Sequence, residues 1–310
     1  MIISASRRTD IPAFYSEWFW RRLQEGYVLV RNPMNIHRVS KVLLNKQVVD
    51  GIVFWTKNPR PMFERLHMLD DYAYYFQYTL NPYGRMLEKN LPPLEQCVQT
   101  FRELSRFIGP GRVIWRYDPV ILTGEITLQY HLEQFARLAD KLAGYTRCCV
   151  FSFVDFYSKA QRNLRGVGAR EIIWKEKLYL AEQLARMAVQ YDLQLASCAE
   201  DMDLSHFGIR PSRCIDGELL ASINGRVLRV EKDKNQRHSC GCAASVDIGA
   251  YNTCGHGCLY CYANYSRPVV EKNIALYDPA SPLLCSKLTT EDVVVEKKAA
   301  SLAVLEKPLF

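Results

Sequence analysis

The chain has 310 residues, 48% of them hydrophobic, and a formal net charge of +7. That is enough apolar material for a large core, and the mild basic excess fits an anionic ligand or an ordinary basic enzyme without a basic tract to mark a nucleic-acid binder. No apolar run is long enough to span a bilayer, and the first ten residues lack the basic, apolar and small-residue order of a signal peptide, so a cytoplasmic protein with no membrane partner is expected.

Apolar, β-rich runs fall at residues 2–6, 51–56, 74–79, 112–117, 149–154 and 193–197, with a short strand or loop element at 28–30. Helical periodicity marks residues 14–24, 61–69, 94–107, 128–142 and 170–190. Strand alternating with helix implies parallel βαβ units. The expected fold class is therefore α/β, a TIM-like (β/α) barrel that is complete or nearly so. Residues 1–198 form the barrel body in this reading. Residues 199–245, with Gly208, Pro211, Gly217 and Gly225, read as a loop-rich excursion over the barrel mouth. Residues 246–264 hold a late strand at 246–251 and a cysteine-rich loop. Residues 265–310, with Pro268, Pro279 and Pro282, form a tail that either wraps the barrel or is partly mobile. The whole reads as one compact domain.

The strand ends share a pattern. Each apolar run breaks into polar residues: Ser-Arg-Arg-Thr-Asp-Ile-Pro at 6–12, Trp-Thr-Lys-Asn-Pro at 55–59, Tyr-Thr-Leu-Asn-Pro at 78–82, Trp-Arg-Tyr-Asp-Pro at 115–119, Ser-Phe-Val-Asp-Phe-Tyr at 152–157 and Ser-Cys-Ala-Glu at 197–200. In a parallel barrel these ends share one face, where active sites are built. The prolines are explained by strand termination alone. The charges are the candidates for catalysis: Arg7, Arg8, Asp10, Lys57, Arg116 and Asp118. Arg7 and Arg8 suit a carboxylate or another anion because the guanidinium fork matches it; the competing reading is structural ion pairing at a barrel rim. Gln77 and Thr79 are candidate cofactor contacts or core hydrogen-bonding groups, and Glu200 is a candidate contact or a solvated loop acid.

Eleven cysteines crowd toward the last third of the chain. In a reducing compartment that clustering points to metal or redox chemistry rather than disulfides. Cys254, Cys258 and Cys261 are spaced C-x3-C-x2-C, which suits three corners of a cubane iron–sulfur cluster with one open iron. Zinc is the alternative, although it favours C-x2-C pairs and four protein ligands. Cys198, Cys214, Cys240 and Cys242 number four, enough for a second iron–sulfur cluster, which is favoured here over a four-thiolate zinc site; Cys198 and Cys214 could also be merely buried. Cys97, Cys148, Cys149 and Cys285 read as structural. His256, inside the cysteine loop, is a cluster neighbour or a surface residue.

With Tyr260 directly before Cys261, the loop resembles that of the radical S-adenosylmethionine superfamily, and residues 257–262 are similar to the loop of its spore-photoproduct-lyase-like branch. The resemblance implies a [4Fe-4S] cluster at Cys254, Cys258 and Cys261 whose open iron binds S-adenosylmethionine. It also implies Tyr260, Tyr262 and His256 near the adenine, a 5′-deoxyadenosyl radical, and a reductant such as a flavodoxin or ferredoxin. In that superfamily the motif follows the first strand, so its late position here implies a circularly permuted barrel. The chain also resembles an uncharacterised bacterial family of unknown function, through the segments at 6–12, 54–59 and 247–254. The leading expectation is thus a radical enzyme acting on a small-molecule or anionic substrate. The alternatives are an iron–sulfur or zinc protein with a structural, electron-transfer or redox-sensing role, and a lyase-like nucleic-acid repair protein.

Overall fold

A computed structural model describes residues 1–156 and 158–304. Tyr157 and the last six residues of the tail lie outside the described residues. In chain order the elements are β1 (Ile2–Ala5), α1 (Ile11–Phe14), α2 (Ser16–Glu25), β2 (Tyr27–Asn32), β3 (Asn35–Leu43), β4 (Gly51–Thr56), β5 (Tyr74–Thr79), α3 (Gly84–Leu87), α4 (Leu94–Ile108), β6 (Val113–Val120) and α5 (Leu128–Leu142). They continue with β7 (Cys148–Phe153), α6 (Ser158–Arg165), α7 (Trp174–Gln190), β8 (Gln194–Ser197), β9 (Arg210–Pro211), α8 (Gly217–Asn224), β10 (Val246–Asp247), α9 (Arg267–Ile274) and β11 (Val293–Glu296).

Eight strands form one parallel sheet in the order β10-β1-β4-β5-β6-β7-β8-β9. This is an α/β fold whose sheet is consistent with a TIM-barrel-like arrangement. The expected strands at 51–56 and 74–79 form with those bounds, because each is a largely apolar and aromatic run that buries both faces. The helix at 128–142 also forms as expected, capped by Thr127, whose hydroxyl accepts from Tyr130 N. At 61–69 the chain instead winds as 3₁₀ turns over Arg60–Leu69, opened by Pro59 and Pro61 and kinked at Arg65. The late strand shrinks to Val246–Asp247.

Alternation along the strands sorts two cores. Ile3, Ile52, Phe54, Tyr74, Phe76, Trp115, Cys149 and Phe151 point to one side and pack under the helices. Trp115 stacks on Phe135 of α5 at 5.0 Å between ring centroids. Ile2, Val53, Tyr75, Ile114 and Val150 point to the other side, where they meet Cys214, Ile215, Leu220, Cys240, Cys242 and Ala243. The segment after β9 is thus packed along the second face of the sheet. Leu220 of α8 approaches Gly51 so closely that a Cβ there would lie 2.6 Å from its side chain.

A second sheet, β11-β3-β2, was not anticipated beyond a short element at 28–30. Here β2 and β3 make an antiparallel hairpin and β11 pairs parallel with β3. The chain after α9 is tied to α2: Trp18 Nε1 donates to Ser281 O at 2.9 Å, and fully buried Arg22 bonds Glu25 and Ala280 O. Gly26, with φ 76°, ends α2 in the left-handed conformation that a side chain would resist.

Candidate functional site

The polar ends of β1, β4, β5 and β6 come together with the loop after β10. Asp10 follows β1 and is buried. One carboxylate oxygen caps α1 by accepting from Ala13 N at 2.9 Å. The other accepts from Lys57 N at 2.7 Å and lies 2.7 Å from His256 Nε2. His256 is itself buried, with its ring 4.6 Å from that of Phe14. Asp10 and His256 therefore brace the loop against the sheet.

Lys57, at the end of β4, donates to Glu88 at 2.7 Å. Burial alone would lower the Lys57 ammonium, but the adjacent Glu88 carboxylate and the Cys258 thiol group raise it above the ordinary lysine value. Glu88 also accepts from the Tyr260 hydroxyl and, at 3.3 Å, from Asn81. Asn81 in turn bonds the Asp118 backbone through both ends of its amide, at 2.9 and 3.0 Å. A buried charge is tolerated when it is paired and fully hydrogen-bonded, and Glu88 meets that condition.

Arg116 of β6 is buried on the second face of the sheet. Its guanidinium forks onto Asp118 at 2.6 and 3.0 Å and reaches Gln77 Oε1 at 3.3 Å and Cys214 Sγ at 2.9 Å. Asp118 also accepts from the Ser152 hydroxyl. Gln77 donates to Cys214 O at 2.9 Å. Thr79 ends β5, paired in register with Arg116. Glu200 accepts from Phe153 N at 2.8 Å and lies 3.8 Å from Lys177; burial raises its carboxyl.

Arg7 and Arg8 are held differently. Their nearest acids, Asp233 and Asp247, stand at 3.6 and 3.9 Å. Asp247 is already satisfied by Ser4 and Ser6 hydroxyls at 2.7 Å each, Arg7 N at 2.8 Å and Gly249 N at 3.0 Å. The Arg7 guanidinium lies over Trp55 and that of Arg8 over Tyr251, at 5.7 and 5.2 Å from the ring centroids. The Tyr262 hydroxyl donates to Arg7 O at 2.6 Å. Both arginines keep part of their surface open to solvent.

The seven candidate cysteines fall in two groups. Cys254, Cys258 and Cys261 lie in the loop; burial raises all three thiols. Among the other four, contacts run as a string: Cys198 Sγ is 3.3 Å from Cys214 Sγ, Cys214 also meets Cys242, and Cys242 meets Cys240. This corrects the expected metal chemistry. Among the described residues, no group of three or more His, Cys, Asp or Glu side chains is placed to hold a metal ion. Neither the [4Fe-4S] cluster at Cys254, Cys258 and Cys261 nor the second cluster or zinc at Cys198, Cys214, Cys240 and Cys242 is supported. The open-iron site for S-adenosylmethionine, the radical enzyme and the iron–sulfur or zinc alternative fall with them, as does the repair reading that rested on the same loop. Spacing in sequence is a one-dimensional signal, whereas ligation needs convergence.

The family profile described as "Domain of unknown function (DUF1848)" matches residues 2–263. The chain belongs to the DUF1848 family. The match runs from β1 through the loop of Cys254, Cys258 and Cys261, so every candidate residue named above lies within it, and it replaces the radical S-adenosylmethionine assignment. No curated protein matches the chain.

Sequence reasoning missed Glu88, Asn81, Ser152 and Asp247. Asn81 and Ser152 lie in the polar strand ends singled out above. Glu88 has no local signal, since its partners Lys57 and Tyr260 are 31 and 172 residues away. Among the described residues no helix is long and apolar enough to cross a membrane.

Proposed function

We propose that this chain binds a small anionic ligand at the carboxyl ends of the parallel strands, with Arg7 and Arg8 as the contacting cations. The observation that carries this reading is the contrast between two kinds of cation. Lys57 and Arg116 are spent on acids at 2.7 and 2.6 Å, whereas Arg7 and Arg8 have only acids beyond 3.5 Å and lie over aromatic rings. Ring faces orient a guanidinium without consuming its N–H donors; Arg7 gives one donor to Ser245 Oγ at 3.3 Å, and the donors that remain suit a carboxylate or phosphate. Asp10, Lys57, Glu88, Asn81 and Asp118 then act as a frame that fixes the strand ends and the 251–264 loop around the ligand.

The position agrees with the general rule that parallel α/β sheets bind ligands beyond the carboxyl ends of their strands. We further infer that the eight strands curl around the segment carrying Cys214, Leu220 and Cys242. Packing of that segment against Ile2, Val53, Tyr75, Ile114 and Val150 supports the curl.

Isothermal titration calorimetry with inorganic phosphate and with succinate tests the reading. One of the two should bind, weaken as salt is raised, and lose at least about ten-fold in affinity in Arg7→Ala and in Arg8→Ala. If neither anion binds, or if both variants fold and bind as well as the parent chain, the reading is wrong.

A further inference from the structure

Five of the eleven cysteines, Cys148, Cys198, Cys214, Cys240 and Cys242, line the second face of the sheet, and Cys198 and Cys214 are close enough to react with each other. Cys198 Sγ and Cys214 Sγ are 3.3 Å apart, unbonded, with Cys198 at the end of β8 and Cys214 in the segment packed along that face. Bond formation would draw them to about 2.0 Å. The third partner is Arg116, which is buried and whose Nη1 donates to Cys214 Sγ at 2.9 Å. Asp118 takes the Nε and Nη2 donors of this guanidinium, and the remaining Nη1–H, placed on the sulfur, favours the thiolate, which is the nucleophile in thiol oxidation.

We propose that Cys198 and Cys214 form a peroxide-responsive dithiol site, with Cys214 as the attacking sulfur, Cys198 as the resolving thiol and Arg116 as the group that positions and charges Cys214. The proposal stands independently of the anion reading, since Arg7 and Arg8 take no part in it.

Hydrogen bonds from Cys198 and Cys242, aided by Arg116, hold the Cys214 thiol well below the usual cysteine range despite its burial. Cys198 is raised, by its bond to Cys214 and by burial. Cys214 is thus the more acidic sulfur of the pair and Cys198 the less acidic, the order that the chemistry needs. Cys214 is only 6% exposed, which favours a small oxidant over a bulky disulfide. In the first step the Cys214 thiolate attacks one oxygen of hydrogen peroxide. The S–O bond forms as the O–O bond breaks, and the leaving hydroxide takes a proton to become water. In the second step Cys198 gives up its proton and attacks the Cys214 sulfenic sulfur. The S–S bond forms, the S–O bond breaks, and a second water leaves. Two electrons pass from the two sulfurs to the peroxide. An external dithiol returns the pair to its starting state by exchange.

Cys240 extends the arrangement. Its hydrogen bond with Cys242 brings the thiol down to about 6, with Arg7 contributing. It is the nearest alternative thiolate and the natural competitor in mapping.

The test is peroxide titration of the purified full chain. Free thiols are then blocked with N-ethylmaleimide, and the disulfides are mapped by mass spectrometry before and after dithiothreitol. The proposal expects a Cys198–Cys214 linkage to appear first, with two of the eleven thiols lost and both recovered on reduction. In Cys198→Ser the reaction should stop at a Cys214 sulfenic acid trapped by dimedone, and Arg116→Met should slow the first step at least about ten-fold. Direct mapping on the parent chain keeps the test decisive if either variant fails to fold. The proposal is overturned if Cys97, Cys285 or a 254–261 cysteine oxidises ahead of the pair, if the first linkage joins other partners, or if the purified chain carries a stoichiometric metal that shields the thiols of Cys198, Cys214, Cys240 and Cys242.

Discussion

His256 Nε2 lies 2.7 Å from the Asp10 carboxylate, and this one contact joins the loop after β10 to the turn after β1, which are 246 residues apart in sequence. Asp10 does three things at once, since it also caps α1 and accepts from Lys57 N. Asp10→Ala should therefore destabilise the chain by about 3 kcal/mol, because one buried and two part-buried donors lose a charged acceptor together. Asp10→Asn, which keeps one acceptor oxygen, should cost roughly half as much. Urea denaturation of the three proteins measures this; equal stability of Asp10→Ala and the parent would mean that the loop is braced elsewhere.

A similar argument applies to Lys57 and Glu88, a buried pair at 2.7 Å. Lys57→Met leaves the Glu88 carboxylate buried without its cation and should cost about 3–5 kcal/mol. Adding Glu88→Gln removes the stranded charge while still accepting from Tyr260 and Asn81, so the double variant should recover most of the loss. A double-mutant cycle reads the coupling directly. Additive losses would show that the two groups do not depend on each other.

His131 of α5 gives the fold a pH dependence with a definite sign. Its ring is fully buried, with Nδ1 2.7 Å from the Tyr117 hydroxyl and Nε2 2.9 Å from Ile121 O. Burial is the main cause that brings it down to about 4, below the ordinary histidine value of 6.5. A base depressed on folding stabilises the native state fully above its unfolded pKa. That stability is lost as pH falls from about 6.5 toward about 4, at up to ~1.4 kcal/mol per pH unit. His131→Asn should be less stable at pH 7 but should show a flatter decline between pH 6.5 and 4.5. Urea midpoints across that window decide it, and parallel curves for the two proteins would remove His131 as the cause.

Much of the sheet was legible because its central strands are largely apolar and aromatic runs and its helices carry a clear 3.6-residue face. The hairpin of β2 and β3 was legible in principle, as two β-rich runs flanking Asn-Pro-Met-Asn at 32–35, but its strands are half exposed and look like loop. His131 was also within reach. It shares the buried face of α5 with Phe135, Leu138 and Leu142, where a lone polar residue must find partners. The polar strand ends do meet, yet the sequence does not say which cations are neutralised. Arg116 and Arg8 look alike in a strand-end motif, and they differ only because Asp118 reaches one guanidinium while Asp247 is occupied by serine hydroxyls and backbone N–H groups. The metal expectation failed for the same reason. Spacing placed the cysteines near one another along the chain, but the order of contacts Cys198, Cys214, Cys242, Cys240 depends on how the segment after β9 packs on the sheet.

Gly249 supplies the last test, because it links backbone packing to the arginines of the proposed anion site. A Cβ at this position would lie 2.1 Å from Ser6 Oγ and 2.6 Å from Ser6 Cβ, inside any permitted contact. Ser6 is the residue that donates to Asp247 at 2.7 Å and accepts from Arg8 N at 2.8 Å. Gly249→Ala must therefore push Ser6 away, costing about 1–3 kcal/mol in strain and about 1 kcal/mol for each hydrogen bond that is lost. It should also weaken phosphate or succinate binding by displacing Arg7 and Arg8. In a Ser6→Gly background the obstructing atoms are gone and only Thr9 Cγ2, at 3.1 Å, remains near. The same Gly249→Ala change should then cost markedly less. Thermal and urea unfolding of the four proteins give the coupling. A cost that stays the same in both backgrounds would mean that β10 and the end of β1 do not touch as described.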